Sequence, residues 1–270
     1  MNPLTAGSSN ASAGILSSLN SNQNLTNDIQ TQLSTNQKIL DPAQQGVVTR
    51  LSSQVTSYSA AHNNIAKAQN VLNVATTGLQ SIASLLTQMQ DLANKASDAT
   101  MTTTDSAKLS QTFNSLLKQL DSAAKNSMID GTGLIASSTS TALTIQTGLT
   151  TSDTTDISVV SSDSTSLSIN AATIATATDA QAAIASLQTA LDQVSTNQST
   201  VASDQTALST QDGLISTISS NLQNTIDTIQ KPDAAALQMQ LQNTNNQQSM
   251  NYYLINQMNQ EAQSVLTIFR

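Results

Sequence analysis

The sequence predicts a mainly α-helical protein: a long antiparallel coiled-coil or bundle rod, with paired N- and C-terminal helices and a small β-hairpin region in the middle. Three observations predict it. Two heptad series of matching length lie far apart in the chain, and each reads as a coiled-coil seam. Ser, Thr, Asn, Gln and Ala dominate while aromatics make up only 2%, a composition suited to closely packed helices rather than a thick core. Period-two alternation is confined to a Ser/Thr-rich stretch near the middle, where short hairpin strands are expected.

The first seam steps by seven through Leu51, Tyr58, Ile65, Leu72, Leu79, Leu86 and Ala93. Three residues further on stand Gln54, Ala61, Ala68, Ala75, Ile82, Met89 and Ala96, with Gln54 the one break. Seven such heptads make about 75 Å of helix at roughly 1.5 Å per residue. Gly78 interrupts them at a local cost of up to about 1 kcal/mol, which a helix of this length absorbs.

The second seam runs through Leu187, Val194, Val201, Leu208, Ile215, Leu222 and Ile229. Its companion positions are apolar at the ends (Ile184, Leu191, Ile218, Ile226) and polar in the middle, at Gln198, Gln205 and Asp212. A half-seam of this kind needs a partner with a fuller stripe, and the first long helix supplies one.

Between the seams, Asp105 can cap a shorter helix with Leu109, Phe113, Leu116, Leu120 and Ala123 on one face. The turn-prone Asp130-Gly131-Thr132-Gly133 should stop it. The alternating pairs Leu143/Ile145, Ile157/Val159 and Leu167/Ile169 then read as strands, and Asp179 opens the late helix.

The ends form a class of their own. Residues 1–40 carry a sparse stripe of Ile15, Leu19, Leu25, Ile29 and Leu33, broken by Asp41-Pro42. After Lys231-Pro232-Asp233 come Leu237 and Leu241, then a face of Tyr252, Ile255, Met258, Ala262, Val265 and Phe269, with Leu266 beside it in the closing QSVLTIFR. Helices this poor in apolar area are marginal alone. A free end would fray into water, where such residues gain nothing. Their apolar faces therefore read as surfaces buried by assembly.

Charge and composition exclude several functions. The net charge is −8 with seven Lys, two Arg and no basic cluster, so nucleic-acid binding has no electrostatic footing and an anionic membrane would repel the chain. No run of about 18 apolar residues exists to span a bilayer. The absence of Cys excludes thiol catalysis and thiolate metal sites. The N-terminus has neither a basic nor an apolar region of the kind a cleaved signal peptide needs.

No chemistry stands out either. His62, the one histidine, lies just off the first seam without the company a metal site requires. Sixteen Asp and Glu261 are scattered singly, and Asp153, Asp156 and Asp163 do not have the spacing of a calcium loop. No phosphate loop, Ser-His-Asp set or dinucleotide fingerprint appears, so no enzyme activity, metal or cofactor is expected.

Several stretches, taken in order, resemble bacterial flagellin, the filament subunit. SLNSNQNL (Ser18–Leu25) is similar to the family's opening helix, and GVVTRLSSQV (Gly46–Val55) to the stretch before its first long helix. MIDGTGLI (Met128–Ile135) resembles the turn after the second helix, LTIQTGLTTSDTTDISV (Leu143–Val159) the following β-hairpin, and QSVLTIFR (Gln263–Arg270) the family's ending. The resemblance implies a layered subunit. Residues 1–40 and 231–270 would be the paired helices of an inner tube. Residues 41–135 and 179–230 would form the rod, and 136–178 a short outward-facing hairpin region.

It also implies a secreted protein of the extracellular filament that serves swimming motility. The expected partners are further copies of itself, the hook-associated junction proteins, the filament cap, an export chaperone and the export gate of the flagellar type III system. The segment TQMQDLANK (Thr87–Lys95) lies where many members carry arginines read by the animal flagellin-sensing receptor. Here Gln88 and Gln90 stand in those places, followed by Asp91 and Leu92. The connector Gln32–Val48 is shorter and less charged than the family's. O-glycosylation, known in this family, would fall in the Ser/Thr-rich stretch from Ser137 to Ser168. Two alternatives remain beside a filament subunit: the third hook-associated protein, which joins hook to filament, and a surface-binding module of flagellin descent.

Overall fold

The computed structural model describes residues 3–136 and 142–268. In chain order these form α1 (Pro3–Thr35), α2 (Pro42–Ala96), α3 (Thr103–Asn126), β1 (Met128–Ile129), β2 (Thr132–Gly133), β3 (Leu143–Gln146), β4 (Thr154–Ile157), α4 (Ala177–Gln230) and α5 (Ala234–Ile268). The chain divides into two compact units, residues 1–52 with 223–270 and residues 53–222.

Helix boundaries follow local chemistry. Past the end of α1, Asn36 adopts φ 53°, the left-handed conformation that ends helices. Pro42 occupies the first position of α2, where its missing N–H costs nothing, and Asp41 accepts from the Gln44 N–H at 2.7 Å. Asp233 does the same for α5, accepting from the Ala236 N–H at 3.0 Å.

Two expected caps belong to other residues. Thr102, not Asp105, caps α3, and its hydroxyl oxygen accepts the Asp105 N–H at 3.2 Å. The hydroxyl in turn donates to the Asp105 carboxylate at 2.8 Å. That bond, with the Lys108 ammonium beside it, holds the carboxyl below its ordinary range. Thr176 and Asp179 repeat the exchange at the start of α4, at 3.1 and 2.8 Å. Each Asp stands in the first turn of its helix, where a negative charge complements the exposed N–H dipoles.

In the unit of residues 53–222, one apolar cluster joins three helices. The α2 stripe alternates small and large: Ala61, Ile65, Ala68, Leu72, Ala75, Leu79, Ile82, Leu86, Met89 and Ala93 are all buried. Against it lie Phe113, Leu116, Leu120 and Ala124 of α3, and Leu187, Val194, Val201, Leu208 and Ile215 of α4. The polar middle of the α4 seam is bonded across to α2. Gln205 Nε2 donates to Asn73 Oδ1 at 3.0 Å, and Asp212 Oδ1 stands 2.5 Å from His62 Nδ1.

Both hairpins are two-stranded and antiparallel. Asp130 (φ 49°) and Gly131 (φ 78°) form the β1–β2 turn, the two-residue type with both φ positive that suits the twist of paired strands. In the second hairpin Leu143 pairs with Ile157 and Gln146 with Thr154.

The other expected strands are absent. β4 stops at Ile157, leaving Val159 outside it and exposed. Leu167 and Ile169 lie in consecutive turns rather than a strand. Their N–H groups donate to the carbonyls of Asp163 (3.0 Å) and Ser164 (2.9 Å). Both side chains are buried, and Asp121 of α3 anchors the segment by accepting from the Ser164 N–H at 2.9 Å and hydroxyl at 3.0 Å. Alternating burial here comes from a turn pinned to the core, which the periodicity of the sequence does not distinguish from a strand.

Candidate assembly surface of the terminal helices

In the unit of residues 1–52 and 223–270, α1 and α5 run antiparallel. Gln248 Nε2 donates to Thr26 Oγ1 and Asn251 Nδ2 to Ser18 Oγ, each at 3.3 Å. The connectors close on themselves as well, with the Lys38 N–H donating to the Gln230 carbonyl at 2.7 Å.

This unit buries little. Its fully buried apolar side chains, among the described residues, are Ile29, Val48 and Ile226. Ile15, Leu19, Leu25 and Leu33 of α1 are half-buried, as are Ile255 and Met258 of α5. Leu16, Met239, Met250, Tyr252, Tyr253 and Leu254 are exposed, Tyr253 to 68% and Met250 to 63%. Fully burying one such side chain is worth roughly 1.5–3 kcal/mol, so this surface holds back a large part of its hydrophobic stabilisation. Val265 and Leu266 belong to α5, but their side chains lie outside the described set, and so does Phe269.

The seam residues divide by depth. Ile65, Leu72, Leu79, Leu86, Leu187, Val194, Val201, Leu208 and Ile215 are buried, whereas Leu51, Tyr58, Leu222 and Ile229 are half-buried. In the segment Thr87–Lys95, Gln88 and Asp91 are exposed and Leu92 packs against the core. Gln90 donates to Gln188 Oε1 of α4 at 3.2 Å. Among the described residues no group of three or more His, Asp or Glu could hold a metal ion, and no helix is long and apolar enough to cross a membrane.

Sequence reasoning singled out the terminal apolar stripes but missed the bonds between them. Ser18, Thr26, Gln248 and Asn251 were unremarked polar background, although each lies at helical spacing from an apolar stripe residue. That spacing is the signal that could have found them.

Residues 8–141 match the family model described as the bacterial flagellin N-terminal helical region. Flagellin FljK of Caulobacter vibrioides is 26% identical over 269 residues, which cover 97% of each chain. The chain belongs to the bacterial flagellin family. A Listeria monocytogenes flagellin is 30% identical over 118 residues, 44% of this chain and 41% of that one. The crystal structure of Bacillus cereus flagellin superposes with a TM-score of 0.51 at 22% identity, over 56% of this chain and 88% of that one, and shares the fold. The protein is thus a structural subunit of the bacterial flagellar filament. Family membership implies self-polymerisation and a place in the extracellular filament.

Proposed function

We propose that α1 and α5 form the surface this flagellin buries when it polymerises, and that the chain is exported unfolded and completes its folding there. One observation carries the reading: among the described residues, the terminal unit leaves Leu16, Met239, Met250, Tyr252, Tyr253 and Leu254 exposed while burying three apolar side chains. Helices with so little enclosed area are marginal alone, and neighbouring copies would supply the missing cover. Contacts of this head-to-tail kind do not close and so generate a filament. Residues 1–40 and 231–270 would then line the inner tube, residues 41–135 and 179–230 the rod, and residues 136–178 the outer face. The same exposed helices suit passage through the type III export gate with a chaperone on the C-terminal segment, and later contact with the junction proteins and the cap.

Seeded polymerisation tests this. Full-length protein should elongate seeds into micrometre filaments visible by electron microscopy, and a chain lacking Tyr252–Arg270 should not. Equal elongation by both would remove α5 from the assembly surface. A full-length chain that stays a folded monomer beside seeds would return the junction-protein reading.

A second expectation concerns the receptor segment. Gln88, which is exposed, and Gln90, which donates to Gln188, are uncharged where many flagellins carry arginines, so reporter cells bearing the animal receptor should respond weakly or not at all to purified monomer. Exchanging Gln88→Arg and Gln90→Arg together should raise the response; a strong response from the unchanged chain would refute the expectation.

A further inference from the structure

We infer that a polar block at the centre of the α1–α5 seam, with Asn22 in its middle, sets the register in which the two terminal helices pair. The inference rests on the reading above that this pair works in the filament, and adds what aligns it.

Stepping by seven along α1 gives Ile15, Asn22 and Ile29, and four residues further on Leu19, Thr26 and Leu33. The matching series on α5 are Leu237, Thr244, Asn251 and Met258, and Leu241, Gln248 and Ile255. Both seams are apolar at their ends and polar at their centres. The structure brings the centres together: Thr26 accepts from Gln248 and Ser18 from Asn251, each at 3.3 Å. Asn22 lies one turn from both Ser18 and Thr26. It is only 9% exposed, and its Nδ2 has no hydrogen-bond acceptor.

The apolar ends cannot choose an alignment by themselves. Were the centres aliphatic as well, both seams would repeat every seven residues, and sliding one helix by a heptad would exchange one apolar contact for another. The polar centre removes that degeneracy. A slide in one direction carries Asn22 from Gln248 and Asn251 to Ile255 and Met258; the opposite slide carries it to Leu241 and Thr244. Either move strips Thr26 and Ser18 of their partners and sets amide groups against aliphatic carbon, where unmet polar groups are costly. A single Asn at such a seam position specifies register at the expense of stability. The unpartnered Nδ2 shows that expense already present in the native alignment.

The chain has no cysteine, so introduced pairs report register without background. In filaments of the full chain, Thr26→Cys with Gln248→Cys reads the observed alignment. Thr26→Cys with Ile255→Cys, or with Leu241→Cys, reads the two slides, since a disulfide closes only between Cα atoms less than about 7 Å apart. Intramolecular bridges are separated from intermolecular ones by the mass of the product. With Asn22 in place, only the first pair should close. In an Asn22→Leu background the first pair should lose yield, a slid pair should gain it, and the terminal helices should melt at higher temperature. Asn22→Ala, which removes the amide while adding no bulk, should show the same redistribution if the leucine variant does not assemble.

Unchanged closure of the first pair alone in both variants would overturn the inference, as would a lower melting temperature in the leucine variant. Failure of the assembly reading is distinguishable from these outcomes, because it shows as an unaltered chain that does not elongate seeds.

Discussion

Replacing Phe113 by alanine is expected to destabilise the subunit by about 3–5 kcal/mol, the range for a buried aromatic truncated in a core. Phe113 is fully buried and is the bulkiest side chain that α3 contributes to the cluster shared with α2 and α4. The side chains that share its cluster are themselves buried, so the space left by the ring would close only in part. With total stabilities of about 5–15 kcal/mol for single domains, one such loss is a large fraction of the whole. Urea unfolding of the soluble subunit, followed by far-ultraviolet circular dichroism, should show a lower midpoint with little change in slope. Gln111→Ala on the exposed face of the same helix should stay within about 0.5 kcal/mol of the parent. Comparable losses from both would mean that α3 does not pack as described.

The helices were legible because a heptad repeat ties position to face over a long span. Local noise such as Gln54 or Gly78 does not erase the pattern of Ile65, Leu72, Leu79 and Leu86, all of which are buried in the structure. The middle of the chain was less legible because period two has more than one cause. Leu143 and Ile145 do lie in a strand, but Leu167 and Ile169 alternate because Asp121 and Asp163 hold their segment in turns over the core. The specific partners of polar seam residues were illegible for a related reason. Gln205 and Asp212 weaken α4 when it is considered alone, yet across the interface they meet Asn73 and His62. Pairing between distant residues leaves no local periodic trace. The terminal stripes were visible as amphipathic faces, and the structure places Ile15, Leu19, Leu25, Leu33, Ile255 and Met258 at half-burial in one subunit. In the proposed reading neighbouring copies cover them, a cover that neither the sequence nor one subunit displays.

Gly78 is where the sequence and the structure lead to opposite expectations. In the sequence it is a flaw in a good helix, and Gly78→Ala should gain up to about 1 kcal/mol from helix propensity. In the structure it is buried, and a Cβ there would stand 2.2 Å from Ser127 Oγ, 2.6 Å from Ile135 Cδ1 and 2.8 Å from Ser127 Cβ. The glycine is the gap through which the chain passes from α3 into β1. Ser127 cannot readily turn away, because its hydroxyl donates to the Ala123 carbonyl at 2.7 Å, and Ile135 is fully buried. Overpacking of this kind costs about 1–3 kcal/mol or more, and a clash involving the rigidly placed Ser127 Cβ belongs at the upper end. The clash therefore outweighs the propensity gain, and Gly78→Ala should lower the unfolding midpoint. Adding Ser127→Gly removes two of the three close atoms and leaves the flexible tip of Ile135, so the double variant should recover part of the loss despite carrying a weaker residue at the end of α3. If the single variant is instead more stable than the parent, α2 and the Ser127 segment do not approach as closely as the structure shows. The glycine would then be the simple interruption that the heptad pattern suggests.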